Sequence, residues 1–385
     1  MIIDYMKAVY EKLHQNPEPP FQEFWTSSFA AEELETMGFK VLRGVGQTGV
    51  VGILECAQPG PCIGLRSDMD ALPIHEKTGV PFASHVPGMM HACGHDSHMA
   101  ITLGCCAYAA RNREQFSGTL MVIFQPAEEP VAGAEAMIVD GLFQHRKPDV
   151  LLAIHNWPYI PVGSVGIQGG PVTAFSDRFV VTFTGVGGHG AFPHKTRDPI
   201  AMAVAGIQWA FSLIQRRSDP QGAQVMSIGS IHGGSSFNII PEQVVVEGTV
   251  RTLERKDQEA MIEMLHQAFG AAADLYGGTY DLQYEPGVPA VVNHRELTSE
   301  FVTVVKKAHP QILIITEGLA SLIGEDVAYF LEQIPGALLF IGSGQTGGVN
   351  ELHHPKYLVP KQTLVTGFQV LTSLISHYLR NGERI

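Results

Sequence analysis

Apolar residues in this chain recur with two spacings, one typical of amphipathic helices and one typical of buried strands. The helical spacing predicts helices over residues 3–13, 26–37, 132–140, 200–215, 255–276, 296–308, 325–333 and 362–379, with another beginning near residue 97. Short continuous apolar runs predict buried strands over residues 50–54, 62–65, 119–124, 150–154 and 337–341. Because strands and helices alternate along much of the chain, we expect an α/β fold.

The pattern changes after Gly169 and Gly170. Residues 175–285 follow the order β-α-β-β-α-β, with strands predicted over residues 179–184, 224–232, 243–252 and 280–284. This order is typical of a ferredoxin-like α+β sandwich. We therefore expect two domains, one formed by residues 1–174 and 286–385 and the other inserted over residues 175–285.

Carboxylate and imidazole side chains stand just beyond several of the predicted strands. In chain order these residues are Asp68, Asp70, Glu128, Glu129, His155 and His353. Open α/β sheets carry their functional groups beyond the carboxyl ends of the strands. We therefore expect these side chains to gather in one site.

The segment 91–98, of sequence His-Ala-Cys-Gly-His-Asp-Ser-His, combines residues that no rule of core packing requires. Cys93 and His95 offer a thiolate and an imidazole, the softer ligands that proteins use for zinc and related metals. Gly94 between them allows a tight turn that aims both side chains at one point. We interpret the segment as a metal-ligand loop, in which the supporting residues are His91, Asp96 and His98.

More ligand-type side chains are present than one tetrahedral metal ion needs. The candidates are Cys93, His95, Glu129, His155 and His353. This number suits two metal ions that share one anionic ligand, a type of centre that activates water and stabilises a developing oxyanion. A neighbouring carboxylate must still carry a proton to the leaving group. The adjacent Glu128 and Glu129 meet that need, since one can face the metal and the other the water.

The composition narrows the possible classes of function. The chain has 385 residues, 45% hydrophobic and 16% charged, which suits a globular protein of two domains. A net charge of −13 without clustered Lys and Arg argues against a nucleic-acid partner. No apolar run approaches the ~20 residues of a membrane helix, and the N-terminus lacks the features of a signal peptide. Five irregularly spaced cysteines favour a cytoplasmic location without a disulfide framework.

Segment 91–98 closely resembles the signature of the bacterial and plant amidohydrolases that include hippurate hydrolase, indole-acetyl-amino-acid hydrolase and N-acetyl-diaminopimelate deacetylase. These enzymes belong to the larger aminoacylase/carboxypeptidase G-type metallopeptidase family. Further matching segments are residues 13–18, 66–73, 125–129, 187–194 and 238–241. The resemblance covers nearly the whole chain. It implies a dinuclear-metal aminopeptidase-like catalytic domain, with a mixed central sheet flanked by helices, and an inserted ferredoxin-like lid domain.

The resemblance also implies a ligand set. Cys93 would bridge the two metal ions as a thiolate. His95 and His155 would complete one metal site, and Glu129 and His353 would complete the other. The implied cofactors are two divalent ions, with Zn, Mn, Ni and Co all open; the thiolate favours Zn, while the carboxylate admits Mn.

Glu128 would act as general base and then as the acid that protonates the leaving amine. Asp68 or Asp70 would orient a ligand histidine. Two departures from the family pattern leave alternatives open. His354 competes with His353 as a ligand, and Glu325 lies in a segment that only partly matches a family motif.

The inserted domain contributes three residues by resemblance. His189 and Asn238 resemble residues that stabilise the oxyanion, which in this family often act across a dimer interface. Arg251 resembles an arginine that binds the α-carboxylate of the substrate, a suitable task for a bidentate guanidinium. We therefore expect residues 175–285 to serve as a lid and as the contact surface of a homodimer or higher homo-oligomer.

The expected function is metal-dependent hydrolysis of the amide bond of N-acyl amino acids, which releases a carboxylic acid and a free amino acid. The expected partner is this small-molecule substrate, without nucleic acid or membrane. A dipeptidase or carboxypeptidase with the same site is the first alternative. A non-catalytic metal-dependent binding protein is the second, although Glu128 argues against it because a binder needs no base beside its ligands.

Overall fold

The structure, a computed structural model, describes residues 1–220, 222–349 and 351–381. Its helices are α1 Ile2–His14, α2 Phe24–Thr36, α3 His95–Arg111, α4 Gly133–Val139, α5 Leu142–His145, α6 Pro199–Arg217, α7 Arg255–Tyr276, α8 Arg295–Ala308, α9 Val327–Leu331 and α10 Lys361–Asn381. Its strands are β1 Lys40–Val45, β2 Gly49–Glu55, β3 Gln58–Asp68, β4 Ser117–Gln125, β5 Val150–Pro161, β6 Ser164–Gly166, β7 Gly170–Pro171, β8 Phe175–Thr184, β9 Gly188–His189, β10 Gln224–Gly233, β11 Ile239–Ile240, β12 Gln243–Thr252, β13 Thr279–Val288, β14 Val292–Asn293, β15 Leu313–Ile315 and β16 Gly336–Gly344.

The chain divides into two compact units. The first comprises Met1–Val172, Val291–Leu319 and Glu325–Ile385, and the second comprises Thr173–Ala290 and Ala320–Gly324. The second unit therefore takes in a short segment, Ala320–Gly324, that the sequence-based boundaries assign to the first domain. The roles of these units as a catalytic domain and a lid remain a prediction.

An eight-stranded mixed sheet forms the centre of the first unit, in the order β1-β2-β4-β3-β5-β16-β6-β15. Its four middle strands, β4, β3, β5 and β16, are all parallel to their neighbours within this group. The strands β1 and β2 extend the sheet in antiparallel fashion. Parallel strands that end at one edge deliver their last residues to a common place, which is why this edge is suited to a site.

Both faces of this sheet are buried, because helices cover each of them. Alternate residues of β4 belong to different apolar clusters: Leu120 and Val122 pack on one side, and Met121 and Ile123 pack on the other. Strands buried on both faces are continuous apolar runs, as the sequence of β4 shows. Each such side chain contributes about 1.5–3 kcal/mol to folding when it is fully buried.

The second unit is built on a four-stranded antiparallel sheet in the order β10-β12-β8-β13. Helices α6 and α7 contribute to its apolar core, in which Phe183 and Phe269 meet edge to face with ring centroids 5.7 Å apart. The strand and helix order is the β-α-β-β-α-β order predicted from the sequence. Strands β9 and β11 form a separate two-stranded antiparallel pair; in sequence, β9 follows β8 and β11 precedes β12.

Within the described part of the chain, no helix combines the length and the apolar character that crossing a membrane requires.

Helix α1 ends in a buried charged cluster next to the candidate ligand loop. His14 Nδ1 lies 2.6 Å from Asp96 Oδ2, and His14 Nε2 lies 3.2 Å from Glu76 Oε1. Burial opposes protonation of His14, but Asp96 and Glu76 outweigh it and raise the pKa of His14 to about 9. Burial likewise raises the pKa of Glu76, but hydrogen bonds from His14, from the backbone N–H of Ser84 and from the Thr78 hydroxyl together outweigh it, and the pKa falls to about 2.

This cluster predicts a pH-dependent stability. Because the pKa of His14 is raised from 6.5 to about 9 on folding, its contribution is complete below pH 6.5 and is lost as the pH rises through 9. Between these limits the wild type should lose about 3 kcal/mol of unfolding free energy that a His14→Gln variant does not lose. Urea denaturation at both pH values measures the difference. An exposed His232→Gln variant should keep the wild-type slope, and equal slopes for His14→Gln and wild type would contradict the assignment.

Candidate metal centre

The ligand-type residues named from the sequence converge at one edge of the large sheet. Glu128 and Glu129 follow β4, His353 lies in the loop after β16, and His95 begins α3. His155 differs from the prediction, because β5 does not end at residue 154 but continues to Pro161. His155 is therefore an interior residue of a strand, paired in register with Phe340 of β16.

A left-handed glycine aims the ligand loop at the site. Gly94 precedes α3 with φ of 87°, a conformation that side-chain-bearing residues rarely adopt. A Cβ atom at this position would lie 2.5 Å from Nδ2 of Asn156 and 2.8 Å from Val359. Two separate constraints therefore require glycine here: the positive φ angle and the lack of room for a Cβ atom. The resulting turn directs Cys93 and His95 toward the same site.

Cys93, His95 and His155 form one group of side chains that could hold a metal ion, which we call the first triad. Their ligand atoms lie within 4.8 Å of one another, and all three residues are buried. The Cys93 Sγ atom is 3.5 Å from His155 Nε2. One sulfur and two imidazole nitrogens are a ligand combination typical of zinc.

Cys93, Glu129 and His353 form another such group, which we call the second triad, and their ligand atoms again lie within 4.8 Å of one another. His353 Nε2 is 3.4 Å from Glu129 Oε2. The two triads share Cys93, which is the arrangement that a bridging ligand requires. His354 belongs to neither triad, and its Nδ1 accepts a hydrogen bond from the backbone N–H of Lys356 at 3.1 Å.

The residues present fit a metal centre by an independent criterion. His95 Nε2 and Glu129 Oε1 are buried, and neither has a hydrogen-bond partner among the described residues. Leaving such atoms unpaired costs about 1–3 kcal/mol each, so buried polar atoms without partners need an explanation. Both atoms belong to the triads, and coordination of a cation explains them together.

Hydrogen bonds to backbone carbonyl oxygens fix the two buried histidines so that Nε2 faces the site. His95 Nδ1 donates to the backbone carbonyl oxygen of Asp70 at 2.9 Å, and His155 Nδ1 donates to that of Asn156 at 2.7 Å. Such bonds select the ring tautomer and raise the basicity of the other nitrogen. Asp70 also accepts the backbone N–H of Glu129 at 3.0 Å, so it ties both triads together.

Asp68 contacts a different histidine. Its Oδ1 lies 2.6 Å from His98 Nδ1, while its Oδ2 is 3.8 Å from His95 Nε2. His98 Nε2 in turn accepts the backbone N–H of Asn156 at 2.9 Å. Both nitrogens of His98 are therefore engaged, which agrees with its interpretation as a supporting residue.

Glu128 lies beside the first triad with its side chain turned into the site. The residue is 6% exposed, and Oε2 is 3.7 Å from His95 Nε2. Burial raises the pKa of Glu128 well above its usual range, and the neighbouring Glu325 carboxylate raises it further. A carboxyl group with a raised proton affinity next to a metal centre is suited to accept and return a proton.

Sequence reasoning missed Asn156 and Tyr357. The Asn156 side chain donates to the backbone carbonyl oxygen of Cys93 at 2.6 Å, and its Oδ1 accepts from the Tyr357 hydroxyl at 2.7 Å. These contacts hold the backbone of the ligand loop. The signal that could have pointed to Asn156 is a polar amide that follows a run of buried apolar residues and directly adjoins His155.

The remaining candidates lie in the second unit. Pairing of β9 with β11 brings His189 next to Asn238, since Gly190 N donates to the Asn238 carbonyl oxygen at 2.9 Å. Arg251 lies on β12 and lines a separate cavity of about 570 Å³ together with Ser176 and Ser227. His189 and Asn238 therefore form one pair, and Arg251 stands apart from it within this unit.

Comparison with known proteins gives consistent matches over most of the chain. The sequence model of peptidase family M20/M25/M40 matches residues 64–377. N-acetyl-L-cysteine deacetylase of Bacillus subtilis is 36% identical, over 98% of this chain and 88% of that protein. Thermostable carboxypeptidase 2 of Saccharolobus solfataricus is 35% identical, over 95% of this chain and 93% of that protein.

A solved structure supports the same assignment. The crystal structure of a dinuclear metal-binding peptidase of the M20 family from Bacillus subtilis matches with a TM-score of 0.85 and 32% identity, over 98% of both chains. The predicted family resemblance, the α/β fold class with its mixed central sheet, and the class of metal-dependent hydrolase are confirmed. This chain is a member of peptidase family M20/M25/M40.

Proposed function

We propose that this protein hydrolyses the amide bond of N-acyl amino acids and releases a carboxylic acid and a free amino acid. The observation that carries the proposal is the pair of triads that share Cys93, with Glu128 beside them. The deacetylase relative, which acts on an N-acetyl amino acid by its name, supports this choice of substrate class.

Two divalent ions, when bound, would supply Lewis acidity toward the carbonyl oxygen and lower the pKa of water. Cys93, His95 and His155 would hold one ion, and Cys93, Glu129 and His353 the other. We propose Zn or Mn, because the shared donor is a thiolate while one ligand is a carboxylate. Metal analysis of protein purified without chelator tests this, and two equivalents of another ion would contradict it.

Glu128 is assigned the proton transfers. It takes the proton of the attacking water and delivers it to the leaving nitrogen, which makes the amine a viable leaving group. Its burial keeps bulk water from competing for that proton. Asp70 positions His95, whose Nδ1 donates a hydrogen bond to the Asp70 carbonyl oxygen. Asp68 contacts His98, and it would support the site through that residue.

We assign substrate recognition to the second unit. His189 and Asn238, adjacent through the β9–β11 pair, would stabilise the oxyanion, and Arg251 would bind the α-carboxylate. The guanidinium of Arg251 contacts the backbone carbonyl oxygen of Val250 at 3.1 Å and the hydroxyl of Thr249. These neutral partners leave its positive charge available for a substrate carboxylate.

We also propose a homodimer formed through the second unit. Helix α6 exposes the apolar residues Ile200, Val204 and Phe211, and β10 is an edge strand. Exposed apolar residues and an unpaired strand edge each favour self-association. A monomeric mass in sedimentation equilibrium would contradict this assignment.

A cytoplasmic location is proposed on the five free cysteines, and cell fractionation tests it.

A carboxypeptidase is the second candidate, because the Saccharolobus solfataricus relative bears that name. Acyl amino acids and peptides present the same amide and the same terminal carboxylate, so the metal centre does not separate them. The groups that flank the amide decide between the two.

The deciding experiment is a substrate panel with the metal-loaded protein. Acetyl-, benzoyl- and indole-acetyl-amino acids are compared with dipeptides by release of free amine, after addition of Zn, Mn, Co or Ni. We expect the N-acyl amino acids to give kcat/KM at least about tenfold above the dipeptides, a difference of 1.4 kcal/mol in transition-state binding. Higher values for dipeptides would select the carboxypeptidase, and inertness toward every amide would refute hydrolysis.

A further inference from the structure

A buried charged cluster behind the metal centre has no part in the proposed chemistry so far. Arg66 is 0% exposed and forms ion pairs with Asp68 at 2.9 Å, with Glu325 at 3.0 Å and with Asp326 at 3.2 Å. Its Nε donates to Gln125 Oε1 at 2.8 Å. We call Arg66, Glu325 and Asp326 the Arg66 cluster. One cation faces three buried carboxylates here. Burial of these charges carries a large desolvation penalty, so the arrangement calls for an explanation.

The Glu325 carboxylate is fixed in place. Arg66 Nη2 binds Glu325 Oε1, Arg66 Nη1 lies 3.5 Å from Oε2, and the backbone N–H of Val327 donates to Oε1 at 2.9 Å. A planar guanidinium that contacts both carboxylate oxygens restricts rotation of the group. Glu325 therefore cannot turn away from its neighbours.

One of these neighbours is Glu128. Carboxylate oxygens of Glu128, Glu325 and Asp326 lie within 4.8 Å of one another. Asp326 is engaged elsewhere, since it accepts the side-chain amide of Gln125 at 2.6 Å and the backbone N–H of Ala134 at 2.9 Å. Glu325 is thus the fixed negative charge that Glu128 meets on the side of the Arg66 cluster.

Glu128 has no comparable anchor of its own. Within the part of the chain that the structure describes, no hydrogen bond reaches its carboxylate, and its polar contact is His95 Nε2 at 3.7 Å. A glutamate side chain that makes no hydrogen bonds can populate several rotamers. When Glu128 is ionised, as a general base must be, repulsion from Glu325 in a buried, low-dielectric environment disfavours the rotamers that bring its carboxylate closer to the Arg66 cluster.

We propose that Glu325, held by Arg66, is a positioning residue that keeps the Glu128 carboxylate turned toward the metal centre by electrostatic repulsion. The inference rests on the proposed role of Glu128 in proton transfer. It assigns a task to Glu325, which matched a family motif only in part, and it accounts for a fully buried arginine in the strand that ends at Asp68.

The test is a Glu325→Gln variant, which keeps the shape of the side chain but removes its charge and gives it an amide donor. The new amide can hydrogen-bond Glu128 and draw it away from the metal centre. We expect kcat on an N-acetyl amino acid to fall about 10- to 100-fold, because misplacement of a catalytic group by about 1 Å has effects of this size. KM should stay within about twofold, since ground-state binding is not touched. Glu296→Gln on the exposed face of α8 is the matched control and should behave as the wild type.

Two further measurements separate positioning from loss of structure. Both metal ions should remain bound in Glu325→Gln, and its crystal structure should place Glu128 Oε2 farther from His95 Nε2 than the present 3.7 Å. Glu325→Asp, which keeps the charge and the pairing with Arg66, should recover most of kcat. Wild-type kcat in a folded, metal-loaded Glu325→Gln variant overturns the proposal, as does an equal loss in both variants. If Glu325→Gln does not fold, a loss in Glu325→Asp as large as that expected for the glutamine variant overturns it.

Failure of the proposed function has a different signature. A wild type that is inert toward all N-acyl amino acids refutes the function. The crystallographic position of Glu128 in Glu325→Gln still decides the inference in that case, because it requires no turnover.

Discussion

Replacement of Glu128 by alanine is expected to lower kcat about 10³-fold on every amide that the protein hydrolyses, within the range of about 10²–10⁴ known for general acid–base groups. Glu128 is the buried carboxylate that faces the first triad without being part of either ligand set, with Oε2 3.7 Å from His95 Nε2. Its removal leaves no group at this position to protonate the leaving nitrogen. Steady-state kinetics with a chromogenic or amine-release assay measures the loss.

Two observations make the result specific to proton transfer. The variant should bind two equivalents of metal and keep a similar KM, because Glu128 supplies neither a ligand nor a substrate contact in the proposal. Glu135→Ala, the same change at an exposed position of α4, should retain full activity. A Glu128→Ala variant with undiminished kcat would show that another group handles the proton. An inert wild type would instead reopen the alternative of a non-catalytic binding protein.

Replacement of Cys93 by serine is expected to abolish detectable turnover, with a loss of at least about 10²-fold, while the fold is retained. The Cys93 sulfur is the one atom that the two triads share, so the change weakens both metal positions at once. A serine hydroxyl is neutral near pH 7 and is a much poorer ligand than a thiolate for soft metals. The loop itself should survive, because Asn156 binds the backbone carbonyl oxygen of residue 93 rather than its side chain.

Metal content and circular dichroism test this expectation together with activity. We expect fewer than two equivalents of metal and an unchanged secondary-structure spectrum. Cys56→Ser, at a partly exposed cysteine outside the site, is the matched control and should leave metal content and turnover unaltered. Near-normal turnover with two bound ions in Cys93→Ser would remove the bridging role.

Local patterns made much of the candidate site predictable. Cys93 and His95 are two residues apart with glycine between them, and His155 follows five apolar residues of a strand, so ligand chemistry and backbone context coincide within a few positions. The alternation of strands and helices likewise indicated the α/β class, which the comparisons confirm. Where the signal is local in sequence, periodicity and residue chemistry are sufficient.

Contacts between distant segments were not predictable in this way. Arg66 meets Glu325 across 259 positions of sequence, and Asn156 meets Tyr357 across 201 positions. No local spacing specifies such pairs, since they arise only after the sheet has assembled.

Strand β1 was missed for another reason. Only Val45 of this strand is buried, and Lys40–Val45 lacks the apolar run that marks the buried strands.

The position of His155 inside β5 has a consequence for the entropy of metal binding. The strand is hydrogen-bonded beyond this residue up to Gly344 opposite Pro161, so its backbone is already ordered when the chain has folded. His353 is instead 50% exposed in a loop with φ of 60°, and its backbone N–H is bound to Ala92 at 2.9 Å. Ordering a side chain and its loop costs conformational entropy that a residue within a sheet has already given up. The two triads are therefore unequally preorganised: the one that contains His155 is largely complete in the folded chain, and the one that contains His353 depends on the order of a surface loop.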